Sequence, residues 1–297
     1  MNEFRPSSLS DFVGQKNVIE CLKILVEASK IDQNKFPHIL LEGPPGLGKT
    51  SLAYAIAKEL NVDIQIANGG ATKTIKCLLP YLMKVNDNSI LFIDEIHRLG
   101  NLSSEFLYPA MEDFRVDVGK DNDTVTINLP QFVLIGATTD SGLLTAPLRN
   151  RFGQKFQLQE YSTDELALLI EKNSVKIGAT IDMASSIEIS KRSRGIPRLA
   201  NHLLEWVHRY NISFGRRQIT KNVVVHAMIL IGVDEDGLDS NDRKYLQILQ
   251  NFNNQPVGLQ TLSSMTDICE ETIVQSIEPF LLRQGLIRKT QKGRMLV

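Results

Sequence analysis

The sequence has few cysteines and no long apolar run. Its 297 residues include three cysteines, Cys21, Cys77 and Cys269, which lie far apart and show no zinc-type spacing. A reducing cytosol is therefore the simplest compartment. No run of ~18 apolar residues occurs, and residues 1–9 lack the apolar core of a signal peptide. We expect a soluble, cytoplasmic protein that has no membrane segment.

The sequence also lacks an excess of charge of either sign. Its 33 Lys and Arg against 34 Asp and Glu give a formal net charge of -1. This balance excludes a uniformly basic protein, so any nucleic-acid contact must come from a local patch. The length and the 42% hydrophobic content allow a sizeable core and about two domains, or three small ones.

Residues 43–50 form the most informative segment. They read Gly-Pro-Pro-Gly-Leu-Gly-Lys-Thr and fit the pattern G-x-x-x-x-G-K-[ST] between a predicted strand at 38–41 and a predicted helix at 50–60. Backbone N–H groups of such a loop surround phosphates, Lys49 can reach the β- and γ-phosphates, and Thr50 can offer its hydroxyl to Mg²⁺. A chance glycine-rich turn is the alternative, which the strand and helix around the loop disfavour. The segment predicts nucleotide hydrolysis.

Two acids follow a second apolar run. Ile90 to Ile93 predict a strand buried in a parallel sheet, and Asp94 and Glu95 stand at its carboxyl end, where open α/β sheets bind ligands. Asp94 is expected to hold the Mg²⁺ shell, and Glu95 to orient or deprotonate the attacking water. The structural alternatives are that Asp94 caps the next helix and that Glu95 is a solvated residue of its first turn.

The order of apolar runs predicts the domains. From His38 to Phe156, short strands alternate with helices, as in a parallel sheet covered by helices, and residues 116–129 predict a projecting β-hairpin. After Tyr161 the pattern indicates helices only, beginning with a capping box at 162–165. Residues 232–239 are acidic and suit a linker. We expect domains at 1–161, 162–232 and 233–297.

The last domain has the pattern of a winged helix. Three short helices are predicted at 245–252, 259–265 and 271–282, followed by a hairpin around residues 291–293. From Arg283 to the end there are five basic residues and no acidic one, so the hairpin can lie against phosphates. A solvated basic tail is the alternative.

Three further residues fit a nucleotide site. Thr139 ends the next apolar strand and can sense the γ-phosphate or position water, with strand-end capping as the alternative. Arg151 lies at a domain edge, from which an arginine can reach a neighbouring subunit's nucleotide, although a surface salt bridge is the commoner role. Arg198 lies in the first turn of a predicted helix, where it can face the phosphates.

In this order, these motifs resemble the AAA+ ATPases. Within that class, the strings Asp-Glu-Ile-His-Arg-Leu at 94–99, Tyr-Pro-Ala-Met-Glu-Asp-Phe at 108–114 and Arg-Ser-Arg-Gly at 192–195 resemble the RuvB family of Holliday-junction branch-migration motors. The match runs from Arg5 to Arg294. The resemblance implies an α/β fold, comprising an AAA+ P-loop ATPase domain with a parallel sheet, a small all-α lid domain and a C-terminal winged-helix domain.

The resemblance also implies an activity, partners and site residues. It implies ATP hydrolysis with Mg²⁺, a homohexameric ring around double-stranded DNA, and work with RuvA on Holliday junctions in recombination and repair, with RuvC as a further candidate partner. By position, the residues lining the nucleotide are expected to be Arg5, Gly46, Lys49, Thr50, Ser51, Glu112, Asp113, Phe114, Tyr161 and Arg198. Arg151 is expected to be the finger acting in trans, and Lys289 and Arg294 to contact DNA.

Two other functions remain open at this point. A clamp loader or an origin-binding switch uses ATP to change shape without translocating, and a winged-helix transcription regulator can carry a vestigial ATPase fold. Intact Lys49, Asp94 and Arg151 disfavour the regulator. The hairpin at 116–127 is shorter than is usual in the family, Asn-Gly-Gly at 68–70 replaces a more typical Ser-Gly-Pro, and Asp140 replaces a common basic residue.

Overall fold

The computed structural model describes residues 4–31, 36–119, 125–253 and 255–297. The chain divides into two compact units. The first contains the residues up to Glu165 together with Ile196–Arg198, and the second contains Leu166–Gly195 and Leu199–Val297. None of the described helices is long and apolar enough to cross a bilayer.

The first unit is built on a parallel β-sheet. Its strands are β1 (Ile39–Glu42), β2 (Ile64–Asn68), β3 (Ile90–Asp94), β4 (Arg115–Val118), β5 (Val125–Asn128), β6 (Val133–Thr138) and β7 (Gln154–Gln157). Five of them form one parallel sheet in the order β2-β3-β6-β1-β7. The strands predicted at 38–41, at 90–93 and before Thr139 are confirmed as β1, β3 and β6. The edge strand β7 was not predicted, because three of its four residues are polar and exposed.

Helices cover this sheet. They are α1 (Lys16–Ile31), α2 (Lys49–Leu60), α3 (Ile75–Leu82), α4 (Asn101–Glu112) and α5 (Ala146–Asn150). In α2, Leu52, Ala53 and Ile56 are buried, which matches the spacing of one helix face. Every residue of β6 is buried, and so are the four apolar residues of β3, as expected for central strands of a parallel sheet.

The predicted hairpin is present. Strands β4 and β5 pair antiparallel with Val116 opposite Ile127. Val116 is buried, and Ile127 packs against the core of the first unit. The apolar side chains of the hairpin thus hold its base on the domain. Residues 120–124, where its predicted turn falls, lie outside the described residues.

Residues 163–230 form a helical region. Its helices are α6 (Thr163–Lys176), α7 (Met183–Lys191), α8 (Pro197–Ser213) and α9 (Lys221–Leu230). The predicted capping box is confirmed, because Ser162 N–H donates to Glu165 and Glu165 N–H donates to the Ser162 hydroxyl. The expectation of helices alone was wrong in one detail. Strands β8 (Thr180–Ile181) and β9 (Gln218–Ile219) form a short parallel pair, too short to leave an apolar pattern.

The C-terminal residues adopt the predicted winged-helix plan. Its elements are α10 (Ser240–Asn251), α11 (Leu259–Thr266), α12 (Glu270–Thr272), α13 (Glu278–Arg283), β10 (Ile287–Thr290) and β11 (Gly293–Leu296). A π-helical turn at Ile273–Ile277 joins α12 to α13, where a single helix was predicted. Strands β10 and β11 form the hairpin, which we call the wing. The buried core of the winged helix includes Tyr245, Leu249, Leu262 and Phe280.

Candidate functional site

The phosphate-binding loop has the backbone that its sequence requires. Gly43, Gly46 and Gly48 have φ of 135°, 83° and 101°, in the region that side chains disfavour. Helix α2 begins directly after the loop, so the N–H groups of its first turn, including those of Thr50 and Ser51, point toward the space in front of it. The loop therefore has the shape of an anion cradle.

Lys49 is held inside this loop. Its side chain is buried, and its Nζ donates to the carbonyl oxygens of Gly43 at 2.6 Å and Pro44 at 3.0 Å. Burial lowers the pKa of Lys49, the nearby Arg198 lowers it further, and Glu95 and Asp94 act in the opposite direction. The loop thus holds a cation ready for a phosphate group.

Glu95 is the centre of a hydrogen-bonded cluster at the carboxyl ends of β3 and β6. The Thr139 hydroxyl donates to Glu95 Oε2 at 2.9 Å, and the Thr139 N–H does so at 3.3 Å. His97 Nδ1 lies 3.2 Å from the same oxygen and 2.9 Å from Thr138 Oγ1. Glu95 has φ of 49°, an unusual backbone for a non-glycine residue. Thr139 therefore holds the Glu95 carboxylate, and its role toward the γ-phosphate or water stays a prediction.

Asp94 stands beside this cluster at the end of β3. Burial raises the pKa of Asp94, Glu95 raises it further, and Lys49 and Arg198 lower it. No group of three or more His, Cys, Asp or Glu in the described part of the chain could hold a metal ion. Asp94 and Thr50 fit Mg²⁺ in the way common at phosphate sites, where few protein ligands are completed by phosphate oxygens and water.

The segment Ile196–Arg198 lies against the phosphate-binding loop. The Arg198 N–H donates to the Gly46 carbonyl at 3.3 Å. A Cβ on Gly46 would lie 2.7 Å from Ile196 Cγ2 and 3.1 Å from Arg198 Cβ. Only glycine leaves room for this approach, so the structure brings Arg198 to the site at which the sequence predicted it.

Arg5 and Tyr161 belong to the same unit. The Arg5 guanidinium stacks over the ring of Tyr54, in the second turn of α2, with its Cζ 4.4 Å from the ring centroid. Tyr161 is buried against Gly14, at which a Cβ would lie 2.5 Å from Tyr161 Cε1. Burial raises the pKa of Tyr161, so it stays a neutral aromatic surface. That Arg5 and Tyr161 line the nucleotide stays a prediction.

Arg151, Glu112 and Phe114 lie elsewhere. Arg151 directly follows α5, and its Nε lies 3.2 Å from Glu112 Oε1 while its guanidinium stacks on Tyr108. Phe114 packs edge-on against Phe132, which directly precedes β6. Phe132 is at the amino end of β6, whereas the phosphate-binding loop follows the carboxyl end of β1, and the hydrogen bonds of Arg151 go to Glu112 and the Pro147 carbonyl. The structure therefore does not bring Arg151 or the Glu-Asp-Phe segment 112–114 to the chain's own loop.

The two wing residues predicted to contact DNA share one buried partner. Lys289 and Arg294 lie opposite each other in the β10–β11 ladder. Glu278, which is fully buried, accepts from Lys289 Nζ at 2.6 Å and from Arg294 Nε at 2.7 Å, and Tyr245 donates to it at 3.1 Å. Arg294 is 18% exposed and Lys289 44%.

Sequence reasoning missed the roles of Glu278 and His97. The pKa of Glu278 reflects two opposing effects, since burial raises it and the hydrogen bonds from Arg294 and Lys289 hold it below its usual value. The only sequence signal for Glu278 was an acid directly before the apolar run at 279–282. His97 stood in a recognised string, but its contact with Thr138 joins residues 41 positions apart.

The phosphate-binding loop, the oriented Glu95, the segment at 196–198 and the winged helix define a P-loop ATPase of the AAA+ class with a C-terminal winged-helix domain. Family models support this assignment along the chain. They match the Holliday junction DNA helicase RuvB P-loop domain at 4–158, the RuvB AAA lid domain at 161–234 and the RuvB C-terminal winged helix domain at 235–297. The chain belongs to the RuvB family.

Individual relatives agree with this assignment. The chain is 44% identical over 296 residues to the Holliday junction branch migration complex subunit RuvB of Fervidobacterium nodosum, covering 98% of this chain and 85% of the relative. The protein of the same name from Helicobacter pylori is 44% identical over 295 residues, covering 98% and 88%. The Thermotoga maritima RuvB Holliday junction branch migration motor superposes with a TM-score of 0.89 at 37% identity, covering 99% and 96%.

Proposed function

We propose that this chain is an ATP-hydrolysing motor that moves Holliday junctions by translocating duplex DNA in recombination and repair. It works in the cytoplasm as a homohexameric ring with a RuvA partner, with RuvC as a further candidate. The names of the relatives support the junction as substrate and a multi-subunit complex. The winged-helix domain supports a DNA contact.

The observation that carries the proposal is the separation of two parts of the catalytic machinery. Lys49, Asp94 and Glu95 are at the carboxyl ends of the strands, whereas Arg151 pairs with Glu112 and the Pro147 carbonyl and with none of those three residues. Within a single chain, Arg151 therefore does not complete the nucleotide site formed by Lys49, Asp94 and Glu95. A ring of identical subunits completes every site, because each subunit supplies Arg151 to its neighbour.

Within one site, the residues have distinct tasks. The loop amides and Lys49 bind the β- and γ-phosphates, and Thr50 with Asp94 holds Mg²⁺, which neutralises phosphate charge when bound. Thr139 and His97 fix the carboxylate of Glu95, which orients and deprotonates the attacking water. Arg198 contacts the bound nucleotide, so a change of nucleotide alters the position of the segment Ile196–Arg198. Lys289 and Arg294 are the proposed DNA contacts of the wing.

The hairpin β4–β5 is the proposed docking element for RuvA. Val125, at the start of β5, is 62% exposed, although the base of the hairpin is packed on the domain. An exposed apolar side chain on a projecting hairpin suits a protein partner.

The first experiment tests junction movement. A synthetic four-way DNA junction is incubated with ATP and the purified protein, with and without the cognate RuvA, and Lys49→Ala serves as the control that cannot bind ATP tightly. Partner-stimulated dissociation that requires Lys49 is expected. ATP hydrolysis stimulated by DNA without junction movement would instead support an AAA+ switch.

A second experiment tests the shared site. Arg151→Ala and Glu95→Gln subunits should each be inactive alone, with ATP binding retained. Mixed rings contain interfaces at which a Glu95→Gln subunit supplies Arg151 to an intact Glu95, so part of the ATP turnover should return. Mixtures that stay inactive over all ratios would argue against the finger in trans.

A further inference from the structure

Arg194 has a largely buried side chain that makes several polar contacts within the second unit. Its Nε donates to the Gly237 carbonyl at 3.0 Å, and its NH2 group donates to Asp239 at 3.2 Å and to Asp242 at 2.5 Å. The Arg194 guanidinium also stacks on Phe280, with its Cζ 4.4 Å from the ring centroid. All four partners belong to residues 237–280. The side chain of Arg194 therefore joins the helical region to the winged helix.

The partners of Arg194 are themselves fixed. Asp242 is fully buried, and with Asp239 it forms the capping box that begins α10. A Cβ on Gly237 would lie 3.2 Å from the Arg192 backbone, so residues 192 and 237 are in close contact. Arg283 on α13 donates to the Arg194 carbonyl at 3.3 Å. Both the side chain and the backbone of Arg194 are thus held by the winged helix.

Arg194 is followed almost directly in sequence by the segment that contacts the phosphate-binding loop. Arg194 and Gly195 have φ of 54° and 75°, and the next residues are Ile196–Arg198, which pack on Gly46 in the first unit. One residue, Gly195, separates Arg194 from the segment that contacts the phosphate-binding loop. Since consecutive Cα atoms are about 3.8 Å apart, this connection has little slack.

We propose that Arg194 is a positioning residue that couples the nucleotide site to the DNA-binding wing. A shift of Ile196–Arg198 on nucleotide exchange moves Arg194, which is bonded to the winged helix. A movement of the winged helix on DNA is passed back to Ile196–Arg198 through the same residue. Such coupling is reciprocal, so nucleotide changes DNA affinity by the factor by which DNA changes nucleotide affinity. The inference rests on the proposed function and adds the residue through which ATP and DNA communicate.

The test removes the guanidinium and measures coupling in the full-length protein. Arg194→Met keeps the apolar stem, and Arg194→Met with Asp242→Asn also removes the buried charge that would otherwise lose its partner. The measurements are basal ATP turnover, turnover with saturating duplex DNA, and the ratio of duplex Kd in ADP and in ATPγS. Thermal unfolding monitors the fold.

We expect basal turnover within about twofold of wild type, with DNA stimulation and the Kd ratio each reduced at least about fivefold, the lower range of allosteric couplings. The matched control is Arg243→Met. Arg243 donates to Gly232, Leu238 and Asp234 in the same acidic segment, but it is remote in sequence from residues 196–198. It should keep full stimulation. Arg194→Lys, which retains the charge without the planar fork, should recover part of the coupling.

A folded double variant with wild-type DNA stimulation and Kd ratio would overturn the inference. Equal loss of stimulation in Arg243→Met would also overturn it, since the segment as a whole would then matter rather than Arg194. Absence of ATP hydrolysis in the wild-type protein is a separate result, which would remove the proposed function and the inference with it.

Discussion

Replacement of Gly46 by alanine tests how the phosphate-binding loop and the segment Ile196–Arg198 depend on each other. Alanine at a φ of 83° costs ~1–2 kcal/mol for the left-handed backbone. The new methyl group would also lie 2.7 Å from Ile196 Cγ2, about 1 Å closer than an ordinary carbon contact. Overpacking of this kind costs ~1–3 kcal/mol.

Because the loop must keep its shape to bind phosphate, we expect about 1.4 kcal/mol of this strain to weaken nucleotide binding, a roughly tenfold higher Kd. Titration with a fluorescent ATP analogue measures it. Gly178→Ala is the matched control, since Gly178 has a φ of 68° and a methyl group at this position would have no neighbouring atom within 4 Å. It should lose only the stability that the left-handed backbone costs and keep its ATP affinity.

A second substitution separates two explanations for the loss. Ile196→Ala in the Gly46→Ala background removes Cγ2, so it should restore much of the affinity if the clash is responsible. If the methyl group instead blocks the phosphate itself, Ile196→Ala will restore nothing. Wild-type affinity in Gly46→Ala alone would refute the close approach of segment and loop.

Two further predictions concern the site and the wing. Thr139→Val removes the hydroxyl that holds Glu95 and should slow ATP turnover by about tenfold or more with an unchanged ATP Kd, and a parallel rise in Kd would assign Thr139 to binding instead. Glu278→Gln should destabilise the winged helix at neutral pH by about 3 kcal/mol. Because the pKa of Glu278 is held below its ordinary 4.5, its contribution is present above that pH and is lost as the pH falls through the lower folded-state pKa. The gap between wild type and variant in thermal unfolding should therefore close in acid, and a constant gap would contradict the ion pairing.

Much of the fold could be predicted from local patterns in the sequence. The loop at 43–50, the strand that ends at Asp94, the capping box at Ser162 and the wing were predictable because each is specified within about ten consecutive residues. Strand β7 was missed because its stabilisation comes from pairing with β1, while its own side chains are mostly polar.

The candidate site was predictable in its parts but not in its arrangement. Sequence placed Arg151 and Glu112 near a nucleotide without indicating that they pair with each other. The partnership of Arg194 with Asp242 joins residues 48 positions apart, and no periodicity marks such a pair. Side-chain pairing across elements depends on tertiary packing, so it becomes visible only in the folded chain.

The buried Glu278 changes how many ions each wing can displace from DNA. Two cations that share one carboxylate carry a net charge of one, so the group formed by Lys289 and Arg294 should release about 0.9 counterions from duplex DNA, whereas two free cations would release about twice that number. This pair of residues then contributes little to the affinity for DNA. In the proposed ring, DNA affinity depends on the number of subunits in contact with DNA. A single subunit can dissociate from the DNA backbone while the ring stays bound.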